Sequence, residues 1–186
     1  MRKIFLFMMV SLDGYFEGPN HDLSWHNAKN EEFKRLEAEH KVESDAILLG
    51  HTTYDLMAGF WPTPEALRVD PETAKFMNET SKFVVSHEPF EPGWNNVSVI
   101  HGDVIGQIEA LKQKPGKDIA LLGSNMLCVS LMEAGLVDEF RIMVNPIAIG
   151  MGTPLFDGLL NGAYSWNRID FRSLISIWKV PNSALP

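Results

Sequence analysis

The sequence contains a single cysteine, Cys128, so no disulfide can form within the chain. A lone thiol fits a reducing compartment, and a cytoplasmic protein is expected. Cations are also scarce: 16 Lys and Arg face 24 Asp and Glu, giving a formal net charge of −8. That balance argues against a nucleic-acid partner, which calls for a basic stripe. An anionic ligand would need local help from backbone N–H groups and a few placed cations. Long apolar runs are missing too. The N-terminal run from Ile4 to Val10 is short for a signal-peptide core and far below the roughly 20 residues of a membrane helix. Neither secretion nor a membrane partner is expected. The six histidines, at 21, 26, 40, 51, 87 and 101, form no HExxH or Cys/His cluster, so no metal is predicted. Neither GxGxxG nor a P-loop occurs, which excludes a standard Rossmann domain and an NTPase.

What remains is enough for one core: 45% of the 186 residues are apolar. Strand and helix patterns alternate, as in an α/β sheet with crossover helices. Ile4 to Val10 reads as a first strand covered on both faces. Ala28 to His40 reads as a helix with Phe33, Leu36 and His40 on one side. Ala46 to Leu49 is a second strand stopped by Gly50, and a helix begins near Thr53. Residues 59–71, with prolines at 62, 64 and 71, read as an irregular loop and a candidate lid. Lys82 to Ser86, Val97 to Ile100, Ile119 to Leu122 and Phe140 to Val144 are further strands. Asp103 is placed to cap a helix carrying Val104, Ile108 and Leu111 inward. Leu127, Leu131 and Ala134 mark another helix, with Gly135 at its end. Residues 164–180 read as a β-hairpin, and residues 1–186 as a single domain.

One junction occurs twice: a buried strand, a glycine, then small polar residues opening a helix. It appears at Leu49-Gly50-His51-Thr52-Thr53 and at Leu122-Gly123-Ser124-Asn125. In a parallel sheet these junctions lie at the carboxyl ends of strands, where ligands bind. The helix N-terminus presents free N–H groups and the positive end of its dipole to a phosphate. An ordinary βα turn with capping residues is the alternative for each.

The order and spacing of several segments resemble the dihydrofolate reductase-like family, in its riboflavin-biosynthesis reductase (RibD C-terminal-like) branch. They are Ser11-Leu12-Asp13-Gly14-Tyr15-Phe16, Leu48-Leu49-Gly50-His51-Thr52-Thr53-Tyr54, Phe83-Val84-Val85-Ser86, Gly135-Leu136-Val137-Asp138-Glu139-Phe140, Pro146-Ile147-Ala148-Ile149-Gly150 and Pro154-Leu155-Phe156. The resemblance implies a three-layer α/β fold with a mostly parallel central sheet and an antiparallel C-terminal hairpin. It also implies bound NADPH and a homodimer. Gly50, His51, Thr52 and Thr53 would hold the adenosine side and pyrophosphate, with Ser86 and His87 near the 2′-phosphate. Gly123, Ser124, Asn125, Met126 and Leu127 would lie under the pyrophosphate and nicotinamide ribose, and Met9 and Val10 beside the nicotinamide. A side chain at Gly123 is expected to block the cofactor without unfolding the domain.

The chain departs from the family pattern at three places. His51 stands where the family has arginine, and histidine carries only part of a charge near neutral pH. Ser124 replaces the second glycine of a Gly-Gly pair that adopts a cis peptide in the family. On the substrate side, Trp25, Asn30, Phe33 and Trp61 are the expected contacts. The acidic anchor of true dihydrofolate reductases aligns with Lys29 or Asn30, neither of which is acidic, so folate reduction is disfavoured. Asp13 is the remaining well-placed acid, either orienting substrate and relaying a proton or simply forming an Asp-Gly turn. The expected activity is hydride transfer from NADPH to a small heterocyclic or ribosylaminopyrimidine substrate. The alternative is a non-catalytic nucleotide-binding module on the same fold.

Overall fold

A computed structural model describes residues 1–26, 31–157, 167–172 and 175–179. The chain opens with β1 (Ile4–Ser11), β2 (Tyr15–Glu17), α1 (Glu31–Glu43), β3 (Ser44–Gly50) and α2 (His51–Ala58). It continues through α3 (Pro64–Val69), α4 (Pro71–Glu79), β4 (Ser81–Val85), β5 (Val97–Ile100) and α5 (Val104–Gln113). After these come β6 (Asp118–Leu121), α6 (Asn125–Glu133), β7 (Glu139–Asn145), β8 (Thr153–Pro154), β9 (Asn167–Arg172) and β10 (Ile175–Lys179).

The main sheet has the order β5-β4-β3-β6-β1-β7-β10-β9. Its first six strands run parallel. The hairpin β9–β10 closes the β7 edge antiparallel, and β2 pairs with β8 in a small separate ribbon. Two-residue alternation along β1 builds the layers. Leu6, Met8 and Val10 join Ile108 and Leu131, from α5 and α6, in the core of one face. Phe7 and Met9 pack with Phe33, Leu36 and Met143 in a cluster with α1 on the opposite face.

The expected lid is instead ordered helix. Thr63 accepts a hydrogen bond from the Ala66 N–H and caps α3, and Asp70 accepts from the Thr73 N–H and caps α4. Pro64 and Pro71 open their helices, where a missing N–H costs nothing. Pro64 and Pro71 mark helix starts, and only residues 59–63, with Pro62, form a turn before them. Met77 of α4 is buried against Ile47, Leu49 and Val84, with Trp61 packed beside them. Asn78 fastens the segment further, its side-chain amide donating to the Trp61 carbonyl at 2.9 Å.

Asp103 caps α5 through the Gly106 N–H, as expected. Gly135 adopts φ +70° just after α6. Its N–H bonds the Met132 carbonyl at 3.0 Å, while the Leu136 N–H bonds Leu131 at 2.9 Å. This paired termination needs a left-handed residue, which glycine supplies without strain. No helix among the described residues is long and apolar enough to cross a membrane.

Candidate active site

Strands β3 and β6 are parallel neighbours, so the two glycine junctions at their ends meet. A Cβ on Gly50 would lie 2.8 Å from Ser124 Oγ. A Cβ on Gly123, whose φ is +80°, would lie 3.0 Å from Thr53 Oγ1. Each glycine is therefore required by the opposite junction, whatever ligand lies above. The Gly123–Ser124 peptide is cis. Ser124 caps α6, accepting from the Leu127 N–H. Gly50 offers α2 no side-chain cap, so the first-turn N–H groups of α2 lack a side-chain partner and remain suited to an anion.

A cavity of about 510 Å³ opens beside these junctions. Met9, Thr52, Thr53, Gly123, Ser124, Asn125 and Met126 border it, as do Phe33 and Trp61. Val10 and Leu127 turn away into the core. Gly50, His51, Ser86 and His87 lie at the ends of β3 and β4, off the cavity wall. There His51 Nδ1 is 3.0 Å from Ser86 Oγ, and the imidazole stacks on Phe90 at 4.2 Å and 14°. Asp55 Oδ1 stands 3.7 Å from His51 Nε2, and His87 is exposed beside them.

One expected substrate contact, Trp25, and the expected acid, Asp13, sit elsewhere. Trp25 does not reach the cavity: its indole N–H donates to the Asp22 carbonyl at 3.2 Å and its ring meets His26 edge-on. Asp13 is exposed and off the cavity wall. Its carboxylate accepts from the Ile149 and Gly150 N–H groups at 3.2 and 2.8 Å. Hydrogen bonds from the Ser11 side chain and Gly150 hold it below the ordinary carboxylate range. It pins one loop to another. Asn30, with Lys29, lies outside the described residues.

The cavity also holds polar groups that the sequence reading left out: Glu17, His21, His26, Glu37, His40, Lys41 and Thr73. Two of these are carboxylates, Glu17 and Glu37, neither of them at the Lys29 or Asn30 position where the acidic anchor of true dihydrofolate reductases aligns. Glu17 Oε2 lies 2.9 Å from His21 Nδ1, and Thr153 donates to Oε1 at 2.7 Å. His26 Nε2 is 3.1 Å from the Phe16 carbonyl, and burial lowers its pKa. Phe33, Glu37, His40 and Lys41 follow at i, i+4, i+7 and i+8 on α1, which is one helical face. That spacing was visible in the sequence. Charged residues on a helix ordinarily face solvent, and here the face looks into a cavity. His40 lies against Phe5 and Phe7, with ring centroids 4.9 Å away in each case. Burial, and secondarily the Arg141 charge, push its pKa down to about 3. Among the described residues no group of three potential metal ligands comes together.

The model of the RibD C-terminal domain family matches residues 2–177. An uncharacterised protein of Bacillus subtilis, YyaP, is 32% identical over 155 residues, covering 83% of this chain and 80% of its own. The bifunctional diaminohydroxyphosphoribosylaminopyrimidine deaminase/5-amino-6-(5-phosphoribosylamino)uracil reductase of Thermotoga maritima superposes with a TM-score of 0.66 at 13% identity. The match covers 97% of this chain and 57% of that one. Dihydrofolate reductase from Enterococcus faecalis, complexed with NADP(H), gives a TM-score of 0.59 at 16% identity, covering 95% of each chain. These likenesses establish a dihydrofolate reductase-like fold.

Proposed function

The chain belongs to the RibD C-terminal domain family, and from that membership we propose that it is an NADPH-dependent reductase acting on a small heterocyclic substrate. The observation that carries the reading is the convergence at one cavity of two helix N-termini, that of α2 lacking a side-chain cap. A pyrophosphate bound there would meet backbone N–H groups, the hydroxyls of Thr52 and Thr53, and the 123–126 turn. His51 and Ser86, whose side chains lie 3.0 Å apart, are the pair this reading assigns to a 2′-phosphate. The residues present therefore fit the cofactor.

NADPH, when bound, supplies the hydride. The protein's part is to bind, orient and keep water out. Met9 walls the cavity on the sheet side, and Phe33 and Trp61 add aromatic surface for a flat ring. Excluding water strengthens every polar contact made inside. Asp13, tied into loop contacts away from the cavity, is not assigned the proton donor's role. The Thermotoga enzyme's named activity supports a ribosylaminopyrimidine as one substrate candidate and a place in riboflavin biosynthesis. The lone buried Cys128, its thiol pushed up to about 12 by burial, is not used as a nucleophile. The reading includes a cytoplasmic homodimer.

The test is a calorimetric titration with NADPH followed by NADPH oxidation with a panel of pyrimidine and pteridine acceptors. Saturable binding with acceptor-dependent oxidation supports the reading. Binding with no oxidation would leave a nucleotide-binding module, and absence of binding would refute both.

A further inference from the structure

A double bond that receives hydride must also receive a proton, and most proton-bearing groups of the cavity are already committed. Lys41 Nζ donates to the Thr73 hydroxyl oxygen at 2.6 Å, and Glu37 Oε1 accepts the Thr73 hydroxyl at 2.7 Å. His26 Nε2 is engaged by the Phe16 carbonyl at 3.1 Å, and burial disfavours its charged form. His40 Nε2 is buried and enclosed. His21 differs from all of these. It lines the cavity, yet its side chain is 59% exposed to water.

Two features hold His21 there. Asn20 and His21 have φ of +58° and +60°, the left-handed region that residues other than glycine seldom enter and that recurs at functional sites. Glu17, on β2 and buried, then binds the ring, with His21 Nδ1 2.9 Å from Glu17 Oε2. The β2–β8 ribbon sets Glu17 opposite Thr153, whose hydroxyl donates to Glu17 Oε1 at 2.7 Å. An ionised carboxylate only accepts, so Nδ1 carries a hydrogen and Glu17 fixes that tautomer. The other ring nitrogen, Nε2, points away from Glu17 and has no hydrogen bond among the described residues.

We propose that His21 is the proton donor of the reduction, with Glu17 as its positioning partner. The proposal rests on the reductase reading of the same cavity and adds where the proton comes from. Hydride arrives at the carbon of a substrate C=N or C=O bond, the π pair moves to the nitrogen or oxygen, and that atom takes the Nε2 proton of the imidazolium. The nicotinamide is oxidised, the double bond is reduced, and neutral imidazole remains, still bonded to Glu17 through Nδ1. Water reaching the exposed ring returns the proton. The division of labour is general for histidine–carboxylate pairs: the carboxylate holds one nitrogen while the other moves protons.

His21→Gly tests this, because glycine accepts a φ of +60° without strain and leaves a gap that free imidazole can enter. NADPH oxidation is followed with whichever pyrimidine or pteridine acceptor the wild type turns over fastest. The variant's kcat should fall about a hundredfold or more, while its calorimetric NADPH affinity should change little. Added imidazole should restore part of the rate in a saturable manner. Independently of turnover, nitrogen NMR of isotopically labelled, cofactor-free protein in alkaline solution should show the His21 hydrogen on Nδ1. Glu17→Gln, whose amide can donate as well as accept, should lose that preference and show a smaller fall in kcat. A His21→Gly protein as fast as wild type, a loss that imidazole leaves untouched, or a hydrogen on Nε2 in the resting ring would overturn the proposal and leave the reductase reading standing. A wild type that gives no NADPH oxidation with any acceptor would overturn that reading and the proposal together.

Discussion

His51 Nδ1 lies 3.0 Å from Ser86 Oγ, joining the ends of two neighbouring parallel strands. Register explains the meeting: Gly50 pairs with Val85, so the next residues leave the sheet together. Phe90 stacks on the ring and fixes its plane. The pair is polar, partly buried and able to receive a phosphate, although Asp55 competes for the other ring nitrogen.

Replacing His51 with arginine should therefore raise the preference for NADPH over NADH by about tenfold, because a permanent forked cation pairs better with a 2′-phosphate. Ser86→Ala should lower NADPH affinity and leave NADH unchanged. Parallel titrations with both nucleotides read the difference. Equal changes for the two would remove the 2′-phosphate from this corner.

Gly123→Val should destabilise the whole domain and not the cofactor complex alone. Its φ of +80° disfavours any side chain, and the new Cβ would press on Thr53 Oγ1 at 3.0 Å. The two effects together should cost about 2–4 kcal/mol in denaturant unfolding. Adding Thr53→Ala should recover the packing part and leave the backbone part. A Gly123→Val protein as stable as wild type would contradict this reading of the junction.

These examples show what the sequence made legible. The βα alternation, the Asp103 cap and the Gly135 terminus follow from local rules and can be read residue by residue. Helices α3 and α4 were hidden because their prolines read as breakers, when a proline at the first helical position starts a helix. The ribbon of β2 with β8 joins two short segments far apart in sequence. The strand-end junctions were legible because a parallel sheet forces them together. The polar cavity wall was not, since Glu37 and Lys41 resemble an ordinary solvated helix face until Thr73 of α4 bonds to both. Asp13 looked like a free acid because its partners, the N–H groups of Ile149 and Gly150, lie far along the chain.

His40 should give the protein an acid-sensitive limb. Its folded pKa of about 3 lies below the ordinary 6.5, so between those values the unfolded chain binds a proton that the folded chain refuses. Stability from this source is intact above pH 6.5 and falls as the pH drops below it. By pH 4 the loss should reach about 3 kcal/mol. Unfolding free energies of wild type and His40→Phe, compared at pH 7 and pH 4, isolate the effect. The variant should lose less stability on acidification; parallel losses would show that His40 does not titrate as its burial requires.

Asp13→Asn should leave the pH dependence of turnover unchanged, because the carboxylate is committed to the 149–150 backbone. Its visible effect should be faster proteolysis of the 146–152 loop. Disappearance of one limb of the pH–rate profile would instead make Asp13 a working acid.

The central claim is hydride transfer, and isotope tracing tests it most directly. NADPH deuterated on the transferable position of nicotinamide C4 is incubated with the protein and with pyrimidine and pteridine acceptors, and the products are weighed by mass spectrometry. The account predicts deuterium in a reduced heterocycle. Bound NADPH that never passes its label to any acceptor would contradict it.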